Sequence, residues 1–537
     1  MAIIEHSDLA DVGRAARIWL AWLSPPLVCF LLGLLGALPL VVLTPPFQVP
    51  DEGQHFLRAY QLSELQVRSI IQDGEPRAML PSSLIEAIES FLGTRAIHAH
   101  RTITAQPLRQ TWLALDRPLD PGRRELVSLA LSRYPPPPYL PQAIAIAAGR
   151  WLGAGPLALL YFARLANALV AVAVLAWAVR LMPVGRETMM LLGLLPMAIY
   201  EYASVSADAA IIASAFLFTA VVLRGQLRAR WSVGEVVVAI ASGLVFCPIK
   251  PVYAPLLLIG LPAALVKGRA RHTFLVHAVI LIVVLCGTIT WLRFAAPYYP
   301  DRSLSSDSDA SGQAAFIAAH PLAFAQMMAD QFWHLGDYYK SAVGLLGWGN
   351  VWLPGVGYAL PLCGLLFGTL AQPGDAPRLS APAVAWHALL LAGGCLLTII
   401  GAYLVWNKVG SATVEGVQGR YFLPLLALAA AMWCSVVRVP LSRRTSLAAL
   451  LAAAAAFVWL ITAGYLDWYK VRSNTVEGVT GRYFLPPLAL FAAAGFAVVR
   501  APPPRRASLV ALLLLLVVII AEYTITDLTI VTAYQEF

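Results

Sequence analysis

Apolar runs close to the ~20 residues that a helix needs to cross a bilayer recur from one end of this chain to the other. A water-soluble fold has no place to bury them. Of 537 residues, 59% are hydrophobic and 12% charged, about half the roughly 25% charge of a soluble globular domain. The length would suggest about three or four soluble domains; with these runs it reads as one multipass unit. The formal charge of +9 invites a nucleic-acid partner, but Lys and Arg sit in short clusters between the apolar runs, as in cytoplasmic loops. All six cysteines lie within apolar stretches with no CxxC or Cys/His pairing, which points to packing or lipid contact rather than metal or disulfide chemistry.

Placing the basic clusters on the cytoplasmic side gives strict alternation. The N-terminus, with Arg14 and Arg17, is inside, and Trp19 to Leu43, too long for a signal h-region, stays as an anchor. A long outer loop then runs to Gly155. Further spans follow at Pro156–Val179, Thr188–Ser204, Ala209–Leu223, Val233–Phe246, Val252–Val266, Phe274–Leu292, Leu353–Leu370, Val384–Val405, Tyr421–Val437, Leu447–Tyr465, Tyr483–Val498 and Leu509–Thr526. The short arms meeting at Cys247-Pro-Ile-Lys250-Pro251 suggest tilted or broken helices. The expectation is an all-α polytopic membrane protein of about thirteen spans, N-terminus in and C-terminus out.

An internal repeat lies near the end. Lys408 to Pro424 recurs almost letter for letter as Lys470 to Pro486, including the VEGVxGRYFLP block. Two spans separate the copies, so both face the non-cytoplasmic side. The second copy is either functional or the idle product of a duplication.

The outer loop opens with Pro50-Asp51-Glu52-Gly-Gln-His55-Phe-Leu-Arg58-Ala-Tyr60. Proline starts a helix and the two acids suit its positive end, so one reading is a charged helix start. The other is a site: Asp51, His55 and Arg58 fall on one helical face at i, i+4 and i+7. There a carboxylate could accept a proton from a hydroxyl while a cation holds a phosphate. Ionisable residues within spans are functional candidates by default. Lys250 at the tip of the broken hairpin is one, Arg164 in the second span another unless it snorkels, and Asp208 heads a helix it would otherwise cap. Arg420 and Arg482 lie at the outer ends of their spans, opposite the side where arginine accumulates, and are the better phosphate ligands. Tyr134-Pro-Pro-Pro-Pro-Tyr139 reads as a stiff spacer before a re-entrant segment. The aromatics of Pro297–Asp301 and Phe332–Tyr339 are interface anchors or sugar-stacking surfaces.

These motifs together, Pro50-Asp51-Glu52 with His55 and Arg58 to Tyr60, Ser206-Ala-Asp208, Lys250-Pro-Val-Tyr253 and Gly419-Arg420-Tyr421-Phe-Leu-Pro424, resemble a bacterial multipass membrane family grouped as domain of unknown function 2142. The likeness covers roughly residues 20 to 435. The duplicated Gly481-Arg482-Tyr483 block departs from the family's single copy. That family in turn resembles the GT-C membrane glycosyltransferases, which use polyprenyl-phosphate-linked sugars and carry an acidic motif in the first extracytoplasmic loop.

The resemblance implies a cytoplasmic N-terminus (1–18) and a GT-C-like transmembrane domain (19–437) with a helical extracytoplasmic loop (44–155). C-terminal transmembrane helices carrying the duplicated block follow (438–537). It implies that Asp51 or Glu52 activates the acceptor. His55, Arg58, Tyr60, Asp208, Lys250, Tyr253, Arg420, Tyr421 and Arg482 would form the substrate and phosphate site. Some GT-C members need a divalent metal at the acidic motif; Mg or Mn at Asp51 or Glu52 stays open, with Asp208 the one further acid at hand. The implied partners are a polyprenyl-phosphate sugar, an envelope glycan acceptor and the lipid bilayer of the bacterial inner membrane. The alternatives are a transporter or flippase of lipid-linked sugars, which needs charge along a path through the membrane, and a non-catalytic assembly subunit. The sequence contains no nucleotide-binding loop, against direct use of a nucleotide sugar or ATP.

Overall fold

The computed structural model describes residues 24–92, 117–228, 230–261, 270–299, 308–370, 376–437 and 504–535. Helix α1 (Pro25–Leu43) begins on two prolines, whose missing N–H groups cost nothing in a first turn. The loop that follows carries α2 (Glu52–Ser63), strands β1 (Ile70–Gln72) and β2 (Glu75–Pro81), α3 (Ser82–Leu92), β3 (Arg124–Ser128) and α4 (Leu140–Trp151). The loop is therefore mixed rather than purely helical. Its sheet is antiparallel in the order β1-β2-β3, with Gln72 opposite Glu75 and Arg77 opposite Ser128. The hairpin turn is Asp73-Gly74, both at positive φ (56° and 75°), as a two-residue turn matched to strand twist requires.

Helix α5 (Pro156–Leu181) packs against α1, α4 and the later α8. Next come two short helices, α6 (Arg186–Gly193) and α7 (Pro196–Tyr202), then α8 (Ala207–Arg228) and α9 (Val233–Phe246). A capping box of Ser232 and Glu235 starts α9. A 3₁₀ segment, Pro251–Leu258, follows, then α10 (Ala270–Ala295). The next segment holds α11 (Ala310–Ala319), α12 (Pro321–Asp330), α13 (Leu335–Gly344) and the β4 (Leu345–Leu346)–β5 (Val351–Trp352) hairpin. Then come α14 (Gly355–Leu370), α15 (Ala381–Trp406), the 3₁₀ segment Gly419–Leu425 with α16 (Leu426–Val436), and α17 (Pro504–Gln535).

Seven helical segments among the described residues are long and apolar enough to cross a membrane: Pro25–Leu43, Pro156–Leu181, Ala207–Arg228, His272–Tyr298, Ala381–Trp406, Gly419–Val436 and Leu513–Ala533. They coincide with seven of the spans expected from the sequence. Four other expected spans are shorter. Thr188–Ser204 is split into α6 and α7 by Pro196, and Val252–Val266 opens as 3₁₀ helix because Pro251 and Pro255 cannot donate to an α-helical ladder. Val233–Phe246 and Gly355–Thr369 are short apolar helices. Leu447–Tyr465 and Tyr483–Val498 lie outside the described residues, as does the second repeat copy with Arg482.

Helix directions define two ends. Leu43 of α1, Pro156 of α5 and Ala207 of α8 lie toward one end, whereas Arg180 and Arg228 close α5 and α8 at the other.

Candidate functional site

The turn from α1 into α2 is strained. Phe47 (φ 63°) and Asp51 (φ 62°, ψ 4°) both occupy the left-handed region, a conformation that for a phenylalanine requires strong support from its surroundings. The support is Glu52, fully buried: one carboxylate oxygen accepts from the Phe47 N–H (3.0 Å) and the other from the Val205 N–H (3.0 Å). Arg164 meets the same carboxylate in a bidentate pair (Nε 2.8 Å, Nη2 2.6 Å) and donates its remaining N–H groups to the carbonyls of Val41, Thr44 and Pro45. Glu52 and Arg164 thus lash the end of α1, the start of α2 and the α7–α8 connection together.

The strain turns Asp51 outward, with its side chain 62% exposed, toward Arg420. Arg420 heads the 3₁₀ segment that Pro424 keeps from becoming α-helix. Its Nη1 donates to Glu201 (2.9 Å), while Nε stands 3.5 Å from Asp208 and Nη2 4.0 Å from Asp51. Lys250, just before Pro251, pairs with the other oxygen of Asp208, and its ammonium lies 4.3 Å from the centre of the Tyr421 ring. Tyr253 fixes that ring's backbone by donating to the Tyr421 carbonyl (2.7 Å). Three proline-interrupted segments therefore deliver Glu201, Lys250 and Arg420 to one place, and the start of α8 adds Asp208.

His55 lies one turn beyond Asp51, and its Nδ1 is 2.7 Å from the hydroxyl of the fully buried Tyr139. Burial pushes the imidazole down to about 4 despite the upward pull of Asp51 and Asp208, so it is neutral near pH 7. The same burial raises the Tyr139 hydroxyl well above the usual range. That hydroxyl stays protonated and can donate to Nδ1, which leaves the imidazole proton on Nε2.

Of the residues singled out in the sequence, Asp51, His55, Asp208, Lys250, Tyr253, Arg420 and Tyr421 are brought together. Arg58 and Tyr60 are not. Arg58 turns away to Gln61 and to the carbonyls of Val67 and Tyr134 (both 3.0 Å). Tyr60 is buried under the Arg150 guanidinium, 5.0 Å from its ring centre. Helical spacing placed Arg58 on the Asp51 face, but the long side chain swings to carbonyls that helical periodicity does not reveal. Glu201 and Tyr139 were not read as site residues. Glu201 is an isolated acid in an apolar segment, the same signal that marked Asp208; Tyr139, assigned to a spacer, had no comparable mark.

No group of three His, Cys, Asp or Glu side chains among the described residues is arranged to hold a metal ion. The donor chemistry accounts for this: Glu52 is saturated by Arg164 and two amides, and Asp208 is engaged by Lys250 and Arg420. Glu201 has one oxygen committed to Arg420 and the other buried without a partner among the described residues, and Asp51 is the exposed carboxylate; two acids placed so beside a guanidinium and an ammonium do not fit a divalent cation. What the arrangement offers instead is an exposed carboxylate beside a guanidinium whose Nη2 donors lack a carboxylate within hydrogen-bonding distance, backed by an ammonium with donors to spare.

A family model described as a predicted membrane protein, DUF2142, matches residues 32–429, which span all of these residues. No curated protein and no solved structure matches the chain.

Proposed function

This chain belongs to the DUF2142 family of membrane proteins, and from that premise we propose that it transfers a sugar from a polyprenyl-phosphate carrier to a cell-envelope glycan at the outer face of a bacterial inner membrane. The observation that carries this reading is the open carboxylate of Asp51 facing the incompletely paired Arg420, at the end opposite the arginines that close α5 and α8. In the reaction, an acceptor hydroxyl oxygen attacks the anomeric carbon. The carbon–oxygen bond to phosphate breaks with its electron pair going to the phosphate, and the hydroxyl proton passes to Asp51. Arg420 and Lys250 hold the phosphate and neutralise the charge that develops on it. Attack opposite the leaving group inverts the anomeric centre. His55, its proton on Nε2, orients Asp51 or the acceptor, and Tyr253 holds Tyr421 and Lys250 in place. Glu52 takes no proton in this scheme because its oxygens are committed to Arg164 and the backbone.

One observation favours the transporter reading. Glu522 on α17 is fully buried, with neither carboxylate oxygen hydrogen-bonded among the described residues, and carboxyls within spans recur on proton and substrate paths.

The test is transfer by purified protein from a panel of radiolabelled polyprenyl-phosphate sugars to envelope glycan. Asp51→Asn keeps a residue that tolerates the left-handed conformation and is expected to reduce transfer by at least about a hundredfold. Undiminished transfer by that variant overturns the assignment. Donor movement across vesicles without transfer, lost in Glu522→Gln, selects the transporter.

A further inference from the structure

Helix α4 runs back along α5. Gln142 near its start bonds Asn167, about 16 Å into α5 at 1.5 Å per residue. Near its end, Gly149 lies so close to α5 that an added Cβ would stand 2.6 Å from Leu159 and 2.7 Å from Phe162. Its buried side, with Ala143, Ile146 and Gly149, packs on the protein. Its other side is an exposed apolar stripe, Leu140, Ile144, Ala148 and Trp151, at the i, i+4, i+8, i+11 spacing of one helical face. Ile144 is 67% exposed and Trp151 87%.

The stripe does not end at α4. Phe162, which touches Gly149, is exposed, and the stripe continues along α5 through Leu165, Leu169 and Trp177, the outward face of a span long enough to cross the membrane. The one charged side chain of α4, Arg150, is turned inward to Glu64 (3.2 Å) and Ser63. Counting along α5 from Arg180, a hydrocarbon layer ~30 Å thick reaches about residue 160. The lower part of α4 therefore lies level with acyl chains and Trp151 near the interface, where tryptophan is favoured.

We propose that α4 is a re-entrant helix seated in lipid, its Leu140–Ile144–Ala148–Trp151 stripe covered by the acyl chains of the leaflet on the Asp51 side. Because Tyr139 at its foot holds His55, the His55 edge of the acidic and basic cluster stands beside α4, below the membrane surface. This inference concerns lipid contact and does not depend on the transfer reading.

The experiment attaches nitroxides singly at Ile144, at Leu169 as the lipid-facing reference and at Glu125 as the aqueous reference, in full-length cysteine-depleted protein in liposomes. Collisions with oxygen and with a water-soluble nickel chelate are compared. Ile144 is expected to match Leu169, with oxygen collisions dominant. A nickel-dominated ratio like that of Glu125 overturns the proposal in favour of water, and low collision with both overturns it in favour of a protein cover. A second measurement leaves the native cysteines in place: lipids brominated along the acyl chain should quench wild-type fluorescence more than that of Trp151→Phe, and equal quenching overturns the lipid seat.

Discussion

Replacing Glu52 by glutamine separates a structural acid from a chemical one. The Glu52–Arg164 pair is completely buried. Removing one partner of such a pair leaves an uncompensated charge and costs about 3–5 kcal/mol. Arg164 keeps its three carbonyl acceptors, which places the expected loss toward the lower figure. If the 537 residues unfold together, the unfolding entropy of about 2.1 cal/mol/K per residue sums to roughly 1.1 kcal/mol/K, so the loss lowers Tm by about 3–5 °C. A smaller cooperative unit gives a larger shift. The buried thiols of Cys29, Cys247 and Cys434 supply the assay, since a dye that fluoresces on thiol attack reports their exposure as purified protein is heated. Asp51→Asn, at an exposed side chain, should shift Tm by less than about 1 °C. A Glu52→Gln protein melting with the wild type would refute the lashing role and return Glu52 to the candidates for the base.

Gly419→Ala is expected to abolish transfer. The new Cβ would stand 2.0 Å from the Ala342 backbone nitrogen, so the segment carrying Arg420 and α13 must separate and the placement of Arg420 beside Glu201 is disturbed; transfer at the wild-type rate would show that Arg420 need not be held there. His55, lowered from about 6.5 in the unfolded chain to about 4 when buried, makes the folded state bind fewer protons, so stability is full above about pH 6.5 and falls as pH drops toward 4. The loss is about 3 kcal/mol; a Tm-against-pH profile in His55→Gln should lack this component, and an unchanged profile would locate it elsewhere. Tyr139→Phe removes the donor to His55 Nδ1 and should cost about 1 kcal/mol while altering the pH dependence of transfer; loss of stability with an unaltered profile would make the tyrosine purely structural.

The long spans were legible because each needs only length and apolarity, and seven of them fall where hydropathy put them. The shortfall has a local cause. Pro196 and Pro255 stand inside apolar runs that hydropathy counts as continuous, and each interrupts the backbone ladder, as Pro251 does at the break read from the short arms that meet there. The sheet in the loop after α1, expected to be helical, carries a sequence mark in Asp73-Gly74 between Ile70-Ile71 and the alternating Ala78–Leu80 run, a two-residue turn signal that residue pattern over a long window does not register.

The site was legible to the extent that its chemistry depends on residue type in an unusual setting, and hidden where it depends on side-chain direction. Asp208, Lys250 and Arg420 stand out as charges beside apolar runs, and they meet. Asp51 and Glu52 are neighbours in sequence with nothing in composition to tell them apart, yet one is exposed and the other fully buried. The difference follows from the single left-handed residue between Pro50 and α2, which reverses the direction of successive side chains. The prolines that shortened the spans serve the same end. A continuous helix carries its terminal charges past a site at fixed intervals, whereas a segment broken at Pro196, Pro251 or Pro424 can end where the charge is needed and leave backbone groups to be satisfied within the protein. The breaks in these helices and the gathering of Glu201, Lys250 and Arg420 are therefore one feature of this chain, and searching apolar runs for a proline within five residues of an isolated charge would have found all three.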